Sequence, residues 1–417
     1  MTAMRSDSFR PHPLPLAGQL LLHAATGAPL DPVWCRDEGD AARQYEWVLE
    51  GGLGPLLHRA AQPHLDQLPP PWRTSLQSAD LTARITHAGR VETALEVVEL
   101  CAERHIAAVL LKGISVSEQL YPAEHLRPMT DVDVLVPQEA YAGLEQALLR
   151  RGYERLEHLA VPGHHHGAPL RHSRLRTVVE LHTGLFPHDS PLSEGSTFAP
   201  QRVLRQSVAS HYHGRPVRRL ATGDQLAYVA SSWFNDLTNG RPHPTFLASA
   251  FDAAYLLAAE GRRLDWDGLL DALDNDWARA SVHLMVTYLP RYGVEPAPPA
   301  VLARLAVEQR LVGPLQFRLI HRMLDRQQFG GRPWTHALPP PMPGRYSLAH
   351  QIRKRVLSRL PWREPAALLR NALPPRGGRE AGRSGSHRAP RSGSSVAAAP
   401  QYTITTRTLA ERWPGRR

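Results

Sequence analysis

The sequence predicts an α+β protein in which a small mixed sheet lies between an N-terminal helical segment and a C-terminal helical domain. Short apolar runs of strand length, bounded by glycine or proline, concentrate between residues 105 and 190. On both sides of this region, apolar residues recur at helical spacing. The chain has 417 residues, 42% hydrophobic and 21% charged, so it is long enough to bury such a core.

The N-terminal part is predicted to be helical after a polar, proline-bearing start. Apolar residues recur at helical spacing from Leu20 to about Ala61. After the breaker PPPW at 69–72, one long amphipathic helix is expected from about Leu76 to Arg104. Its apolar positions are Leu81, Ile85, Val91, Leu95, Val98 and Leu100.

Strand patterns follow this helix. The run HIAAVLLKG predicts a short buried strand that ends at a glycine turn, and DVDVLVP predicts a second strand stopped by Pro137. The run QEAYAGLEQALLRRG predicts a helix with Gly152 just beyond its end. Two further strands are expected, YERLEHL from Tyr153 and TVVELH from Thr177 to His182.

The last part of the chain divides into a helical region and a tail. From about Leu220 to Ile320 the pattern is almost purely helical, and past ALPPPMPGR the residues Pro, Gly, Ser and Arg dominate. The predicted segments are a disordered N-terminus (1–16), a helical N-terminal segment (17–104), the sheet-containing core (105–215), a helical domain (216–338) and a largely disordered tail (339–417).

The net charge of +10 is concentrated in the tail. From residue 341 to the end there are 16 Lys and Arg against three acids, which leaves 33 basic and 36 acidic residues in the rest of the chain. The folded part is therefore slightly acidic, which argues against an extended nucleic-acid surface. We expect only weak nucleic-acid binding, through the basic tail.

Residues 11–30 lack charge, but four prolines and two histidines interrupt them, so neither a signal peptide nor a membrane span is expected. Cys35 and Cys101 are too few for a disulfide framework, and neither lies in a CxxC motif. The reducing cytoplasm is the expected compartment.

The two predicted central strands carry alternating carboxylates. Residues i and i+2 of a strand point the same way, so Asp131 and Asp133 share one face, and so do Glu180 and His182. Unpaired carboxylates on adjacent strands repel each other, and a divalent cation removes that cost. Oxygen ligands without cysteine favour Mg²⁺, and two such ions about 3.5–4 Å apart stabilise an in-line phosphoryl displacement.

Lys112 is the only lysine in the first 353 residues. It directly precedes Gly113, at the turn where the first predicted strand ends. A lysine in that position predicts a contact with phosphate, and the alternative is a solvated strand end.

Other polar residues near this turn leave two interpretations open. Arg127 is expected either to contact phosphate or to pair with Asp131 or Glu124. Ser115 either contacts phosphate through its hydroxyl or starts a helix whose backbone N–H groups do so.

Two features lie outside the carboxylate strands. The run GHHHG at 163–167 suggests zinc, but three consecutive histidines do not converge easily on one ion, so a flexible loop is predicted. Asp252, in the helical pattern FDAAYLL, is expected either to orient an arginine or histidine or to approach a nucleotide.

These motifs together resemble a known family. LLKG…LYP…LRPMTDVDVLV…VVELH and the downstream GDQLAYVASSWF…FDAAYLL…LDWDGLL are similar, over roughly 45–290, to the uncharacterised nucleotidyltransferase family of the DNA polymerase beta-like superfamily. The roles that the resemblance implies are a triphosphate cradle (Gly113, Ser115), phosphate neutralisation (Lys112, Arg127) and metal binding (Asp131, Asp133, Glu180). The serine lies one position later than in the family's Gly-Ser turn, and Trp233 and Asn235 stand where a histidine is expected.

The function implied by this resemblance is a Mg²⁺-dependent transfer of a nucleoside monophosphate from ATP or another NTP to an acceptor, with release of pyrophosphate. The acceptor is a small molecule, a peptide or a protein. A peptide is among these because relatives are associated with peptide natural products. The alternative is a protein of the same fold that senses nucleotide or binds nucleic acid without turnover.

Overall fold

The computed structural model describes residues 14–35, 39–160, 165–239 and 244–331. The predicted tail at 339–417 lies outside the described residues, and only 14–16 of the predicted disordered N-terminus lie within them. The boundaries drawn between the other segments stay predictions.

A seven-stranded mixed sheet lies in the middle of the described chain, in the order β3-β4-β5-β2-β1-β7-β6. Its β2–β5 and β1–β7 pairs are parallel and the other pairs antiparallel. This confirms the predicted α+β class. The strands are β1 (Val109–Leu110), β2 (Asp131–Leu135), β3 (Tyr153–Arg155), β4 (Leu170–His172), β5 (Val178–His182), β6 (Val208–Tyr212) and β7 (Arg215–Arg219).

Three of these strands, β4, β6 and β7, were not expected from the sequence. β7 reads RPVRR and β6 reads VASHY, so neither has the apolar alternation that predicts a half-buried strand. Both are held by the ladder between them and by the pairing of β7 with β1. The sheet therefore extends past the boundary that the sequence placed at residue 215.

The N-terminal helices are α1 (Leu16–Thr26), α2 (Asp40–Glu50), α3 (Gly54–Ala60) and α4 (Pro70–Glu103). The long helix is confirmed, but Leu81 and Ile85 are 59% and 66% exposed rather than part of its buried stripe. In this stretch α4 buries Asp80 and His87 instead, which bond to His125 and Glu124 of a short 3₁₀ turn. A polar contact replaces the apolar one there.

The remaining helices confirm the helical pattern after residue 220. Trp233, Phe234 and Phe251 are fully buried where the helices α8 (Thr222–Asn239), α9 (Leu247–Glu260) and α11 (Asp276–Tyr288) pack together. No helix in the described parts of the chain is long and apolar enough to cross a membrane. Three helices lie between the strands, α5 (Lys112–Leu120), α6 (Gln138–Arg150) and α7 (Pro200–Gln206). The helices after residue 220 are α8 (Thr222–Asn239), α9 (Leu247–Glu260), α10 (Trp266–Ala272), α11 (Asp276–Tyr288), α12 (Pro299–Glu308) and α13 (Pro314–Leu324).

The central strands have one apolar and one polar face. Val132 and Val134 of β2 and Val179 of β5 are fully buried in a core that also contains residues of α4 and α6. Since strand side chains alternate, Asp133 and its neighbours project from the other face. That face carries the candidate site.

Candidate active site

Strands β2 and β5 bring the carboxylates together through their parallel register. Asp133 is the direct partner of Glu180, and His182 stands two residues further along β5. One ligand atom from each of these three side chains lies within 4.8 Å of the others. The predicted shared face of Asp133, Glu180 and His182 is therefore present in the fold.

The contacts of Asp133 define the centre of the site. The Nζ atom of Lys112 lies 3.3 Å from Asp133 Oδ1, and Nε2 of His182 lies 2.7 Å from the same oxygen. Asp131 lies outside the group of close ligand atoms, and its Oδ2 accepts a hydrogen bond of 3.1 Å from the Thr130 hydroxyl. The closest acidic cluster thus contains His182 where the sequence had suggested Asp131.

The site contains more negative charge than its lysine balances. Burial opposes ionisation of Asp133, but the Lys112 ammonium and the His182 ring hold its pKa well below the ordinary value. Burial, with the charges of Asp131 and Asp133, raises the pKa of Glu180 to about 8, and burial with Asp133 raises that of Asp131 to about 6. Carboxylates that resist ionisation beside one another are a donor set that fits a divalent cation.

Lys112 is held by a strained backbone at the start of α5. Its φ angle is 44°, in the left-handed region that non-glycine residues rarely adopt. Among the described residues, no side chain caps the N-terminus of α5. The first backbone N–H groups of that helix are therefore available to an anion, beside a lysine side chain that is 36% exposed.

Arg127 lies in a buried ion pair. Its Nε and Nη2 atoms donate to the two carboxylate oxygens of Asp252 at 3.2 and 2.7 Å, and Tyr121 Oη donates to Asp252 at 2.7 Å. Asp252 therefore orients an arginine, one of the two roles expected for it. A side chain at Gly113 would collide with this guanidinium, so Gly113 is needed for the approach of Arg127.

Ser115 is buried on α5 and faces β7. Its carbonyl oxygen accepts a hydrogen bond from Arg219, whose Nη1 also lies 3.4 Å from the serine hydroxyl. Arg219 is itself paired with Glu118. The nucleotide-binding roles of Ser115 and Arg127 stay predictions, whereas the geometry gives both residues partners within the protein.

His166 reaches the site although the sequence predicted only a loop. It forms an isolated β-bridge with His182, and its Nε2 lies 3.6 Å from Glu180 Oε2. The His165 ring packs on the rings of His166 and His182, with centroids 5.0 and 5.1 Å apart. The signal in the sequence was the histidine run itself, which stands shortly before β4, the strand that pairs with VVELH of β5. Residues 161–164 lie outside the described parts of the chain.

Helix α8 contributes two residues that the sequence did not single out. Burial raises the pKa of Asp236 to about 6, and the charge of Lys112 acts against this rise. Burial also raises the pKa of Tyr228, again opposed by Lys112. The charge of Lys112 therefore acts on both residues, and Asp236 directly follows Asn235, one of the two residues that stand where the resemblance leads one to expect a histidine.

A family model described as uncharacterised nucleotidyltransferase matches residues 37–292, which is more than half of the chain. No curated protein matches the sequence significantly.

Two solved structures share similarity with part of this chain. One is the antibiotic-resistance factor ANT(2'')-Ia, with 14% identity and a TM-score of 0.29 over 48% of this chain and 92% of that chain. The other is an antigenic nucleotidyltransferase-like protein from Paracoccidioides brasiliensis, with 15% identity and a TM-score of 0.32 over 52% of this chain and 96% of that chain.

Proposed function

Since the chain belongs to the uncharacterised nucleotidyltransferase family, we propose that it transfers a nucleoside monophosphate from an NTP to an acceptor in a Mg²⁺-dependent reaction. The observation that carries this proposal is the excess of carboxylates beside Lys112 and the uncapped N-terminus of α5. The acceptor is a small molecule, a peptide or a protein. The two buried, unbridged cysteines fit a reducing compartment such as the cytoplasm.

The triphosphate binds at the N-terminus of α5. The first backbone N–H groups of α5 would donate hydrogen bonds to the phosphate oxygens, and the Lys112 ammonium would neutralise their charge. The anions around Lys112 raise its pKa well above the ordinary value in spite of its burial, so the side chain stays charged. Because Gly113 has no side chain, the Arg127 guanidinium packs against the turn, and its ion pair with Asp252 holds it there.

Asp131, Asp133 and Glu180 would hold the divalent cations, two of which are expected. When bound, these ions neutralise the charge that develops on the transferred phosphoryl group. The protein's own contribution is to hold the carboxylates in the β2–β5 register before substrate arrives.

The reaction balances with residues of this site. The acceptor oxygen forms a bond to the α-phosphorus, the bond from that phosphorus to the β-phosphate bridging oxygen breaks, and pyrophosphate leaves. Glu180 positions the acceptor or takes its proton, since its carboxylate lies beside Asp133 and is partly exposed. Helix α8 carries Tyr228 and Asp236, on whose pKa values the charge of Lys112 acts, and we propose that these residues help to select the acceptor.

The test combines nucleotide binding with transfer. The purified protein is titrated by calorimetry with non-hydrolysable analogues of each NTP and Mg²⁺, then incubated with NTPs and candidate peptides, proteins and metabolites while pyrophosphate is measured. We expect binding of at least one NTP, and release of pyrophosphate that Asp133→Asn abolishes. Glu154→Gln is the matched control, because Glu154 is an exposed carboxylate of β3 paired with Arg171. Failure to bind any NTP would disprove the proposal.

A further inference from the structure

We propose that His166, His182 and Glu180, with Asp133, form a mixed nitrogen and oxygen site for a first-row divalent transition metal. The inference rests on the proposed function, because it assigns one of the two expected metal positions of the same site. The oxygen-only ligands on the Asp131 side would keep Mg²⁺ with the nucleotide. The protein would then use two different cations.

Three of the four ligand atoms already lie close together. The Nε2 atoms of His166 and His182 each lie 3.6 Å from Glu180 Oε2, and His182 Nε2 lies 2.7 Å from Asp133 Oδ1. Ligands about 2.0–2.2 Å from one metal are separated from each other by about 3.0–3.5 Å. Ligand atoms of Asp133, Glu180 and His182 lie within 4.8 Å of one another, whereas His166 lies outside this group, and its ring would move towards Asp133 on metal binding.

The hydrogen bonding of His166 directs a lone pair at Glu180. Its Nδ1 lies 2.8 Å from the carbonyl oxygen of Gly167. Because a carbonyl only accepts, Nδ1 carries the proton, and the neutral ring directs the lone pair of Nε2 towards Glu180 Oε2, 3.6 Å away. A backbone carbonyl that fixes the tautomer in this way is a common support of metal-binding histidines.

The rest of the cluster is buried and rigid. His182 is fully buried at the C-terminal end of β5, and its Nδ1 has no partner among the described residues. The rings of His166 and His182 are 5.2 Å apart, and the β-bridge between the two residues fixes their backbones. Both imidazoles therefore approach Glu180 from elements held by the sheet.

The ligand types decide the choice of metal. Mg²⁺ prefers oxygen ligands, whereas imidazole nitrogen suits later first-row ions such as Fe²⁺, Co²⁺, Ni²⁺ and Zn²⁺. Two imidazoles beside two carboxylates match the second group. No cysteine belongs to this cluster, so its imidazole nitrogens alone would favour a transition metal over Mg²⁺.

The experiment measures metal binding without relying on turnover. The full chain is stripped of metal and titrated with Co²⁺, whose visible absorption reports nitrogen coordination, in the presence and absence of excess Mg²⁺. We expect Co²⁺ to bind at least about tenfold more tightly than Mg²⁺, and His166→Ala to reduce Co²⁺ affinity by about tenfold or more. Affinity for a Mg²⁺-bound NTP analogue should change less than about threefold in this variant.

His165→Ala is the matched control, because the His165 ring packs on the same two rings while the nitrogen beside Glu180 belongs to His166. If circular dichroism shows that His166→Ala does not fold, His166→Gln replaces it, since glutamine keeps the volume but removes the imidazole. Equal Co²⁺ affinity in wild type and the His166 variant would overturn the proposal and leave only a histidine–carboxylate contact.

The outcome separates this inference from the proposed function. Co²⁺ binding that depends on His166, with no transfer from any NTP, would support the metal site and disprove the transferase. Full transfer with Mg²⁺ alone, with no Co²⁺ site, would support the transferase and disprove the mixed site.

Discussion

Two aspartates, Asp133 and Asp252, are equally buried, with 2% of each exposed, but their surroundings differ. Both oxygens of Asp252 are bonded by Arg127, and Tyr121 adds a third hydrogen bond. The contacts of Asp133 from Lys112 and His182 both end on a single oxygen, Oδ1. The Asp252 carboxylate is enclosed by its partners, whereas the Asp133 carboxylate lies in a group that contains a further acid, Glu180.

The difference separates a structural ion pair from the candidate active site. At Asp252 one anion meets one cation, so the pair is neutral and complete. At Asp133 the carboxylates of Asp131 and Glu180 add charge that Lys112 alone does not neutralise. Perturbed carboxylates of this kind are concentrated where a protein binds cations or performs chemistry.

The sharpest test of this contrast is Asp133→Asn. The amide removes the charge at the centre of the site, so we expect turnover to fall by at least about three orders of magnitude. Folding should be largely preserved, because the amide keeps the shape of the side chain, and the relief of repulsion with Asp131 and Glu180 offsets part of the lost ion pair with Lys112. Pyrophosphate release and thermal melting measure the two effects. Asp131→Asn should also abolish turnover, and normal Mg²⁺-dependent activity in either variant would exclude the metal-binding role.

Glu180→Gln separates binding from catalysis. The amide keeps the shape of the side chain but loses its charge and its ability to take a proton, so we expect turnover to fall by about two to four orders of magnitude. NTP should still bind through Lys112 and α5. Calorimetry with a non-hydrolysable NTP and pyrophosphate release report on the two steps. Near-normal turnover would exclude Glu180 as the third carboxylate of the site.

Asp252→Ala tests the other side of the comparison. It leaves the buried guanidinium of Arg127 without its partner, so we expect the free energy of unfolding to fall by about 3–5 kcal/mol. Turnover of the molecules that remain folded should change far less than in the Asp133 variant. Urea unfolding measures the first quantity. The double variant Arg127→Met with Asp252→Ala should recover part of the loss, and a loss of turnover without a loss of stability would place Asp252 in the active site.

Lys112→Ala should act mainly on nucleotide binding. The variant loses one charged contact with phosphate, which we expect to weaken NTP affinity by about tenfold or more. It also removes the cation that pairs with Asp133, so calorimetry should be compared at two Mg²⁺ concentrations. Unchanged affinity at both would make Lys112 part of the scaffold.

The sequence predicted the parts of the site that depend on local pattern. Alternation along two short strands was sufficient to align Asp133 with Asp131 and Glu180 with His182, because the two-residue period of a strand is a local property. The position of Lys112 before a glycine was likewise visible in the chain. The period of the strands and the spacing along the chain were therefore sufficient to locate the centre of the candidate site.

Contacts between distant segments could not be read in this way. Arg127 and Asp252 are 125 positions apart, and the sequence offered nearer acids as equally good partners. His166 lies next to Glu180 only because its loop pairs with β5. Such contacts depend on how elements pack in three dimensions, which the pattern within each element does not encode.

A last expected effect is the part of the pH dependence of stability that comes from Glu180. Its pKa is raised to about 8 in the folded protein, from an ordinary value of 4.5, by burial and by the charges of Asp131 and Asp133. A raised carboxyl pKa means that the fold holds this proton more tightly than the unfolded chain does. The stabilisation is therefore complete below the unfolded pKa and is lost as the pH rises through the folded pKa.

We accordingly expect the free energy of unfolding of the metal-free protein to decrease between about pH 5 and pH 8, relative to that of Glu180→Gln. Denaturant unfolding of both proteins at several pH values gives the difference, and adding Mg²⁺ should reduce it, because a bound cation neutralises the same carboxylates. Since the closed pair at Asp252 is common to both proteins, it cancels in this comparison. A difference that stays constant across the range would mean that the charge at Glu180 is already balanced, and the contrast between the two buried aspartates would lose its electrostatic basis.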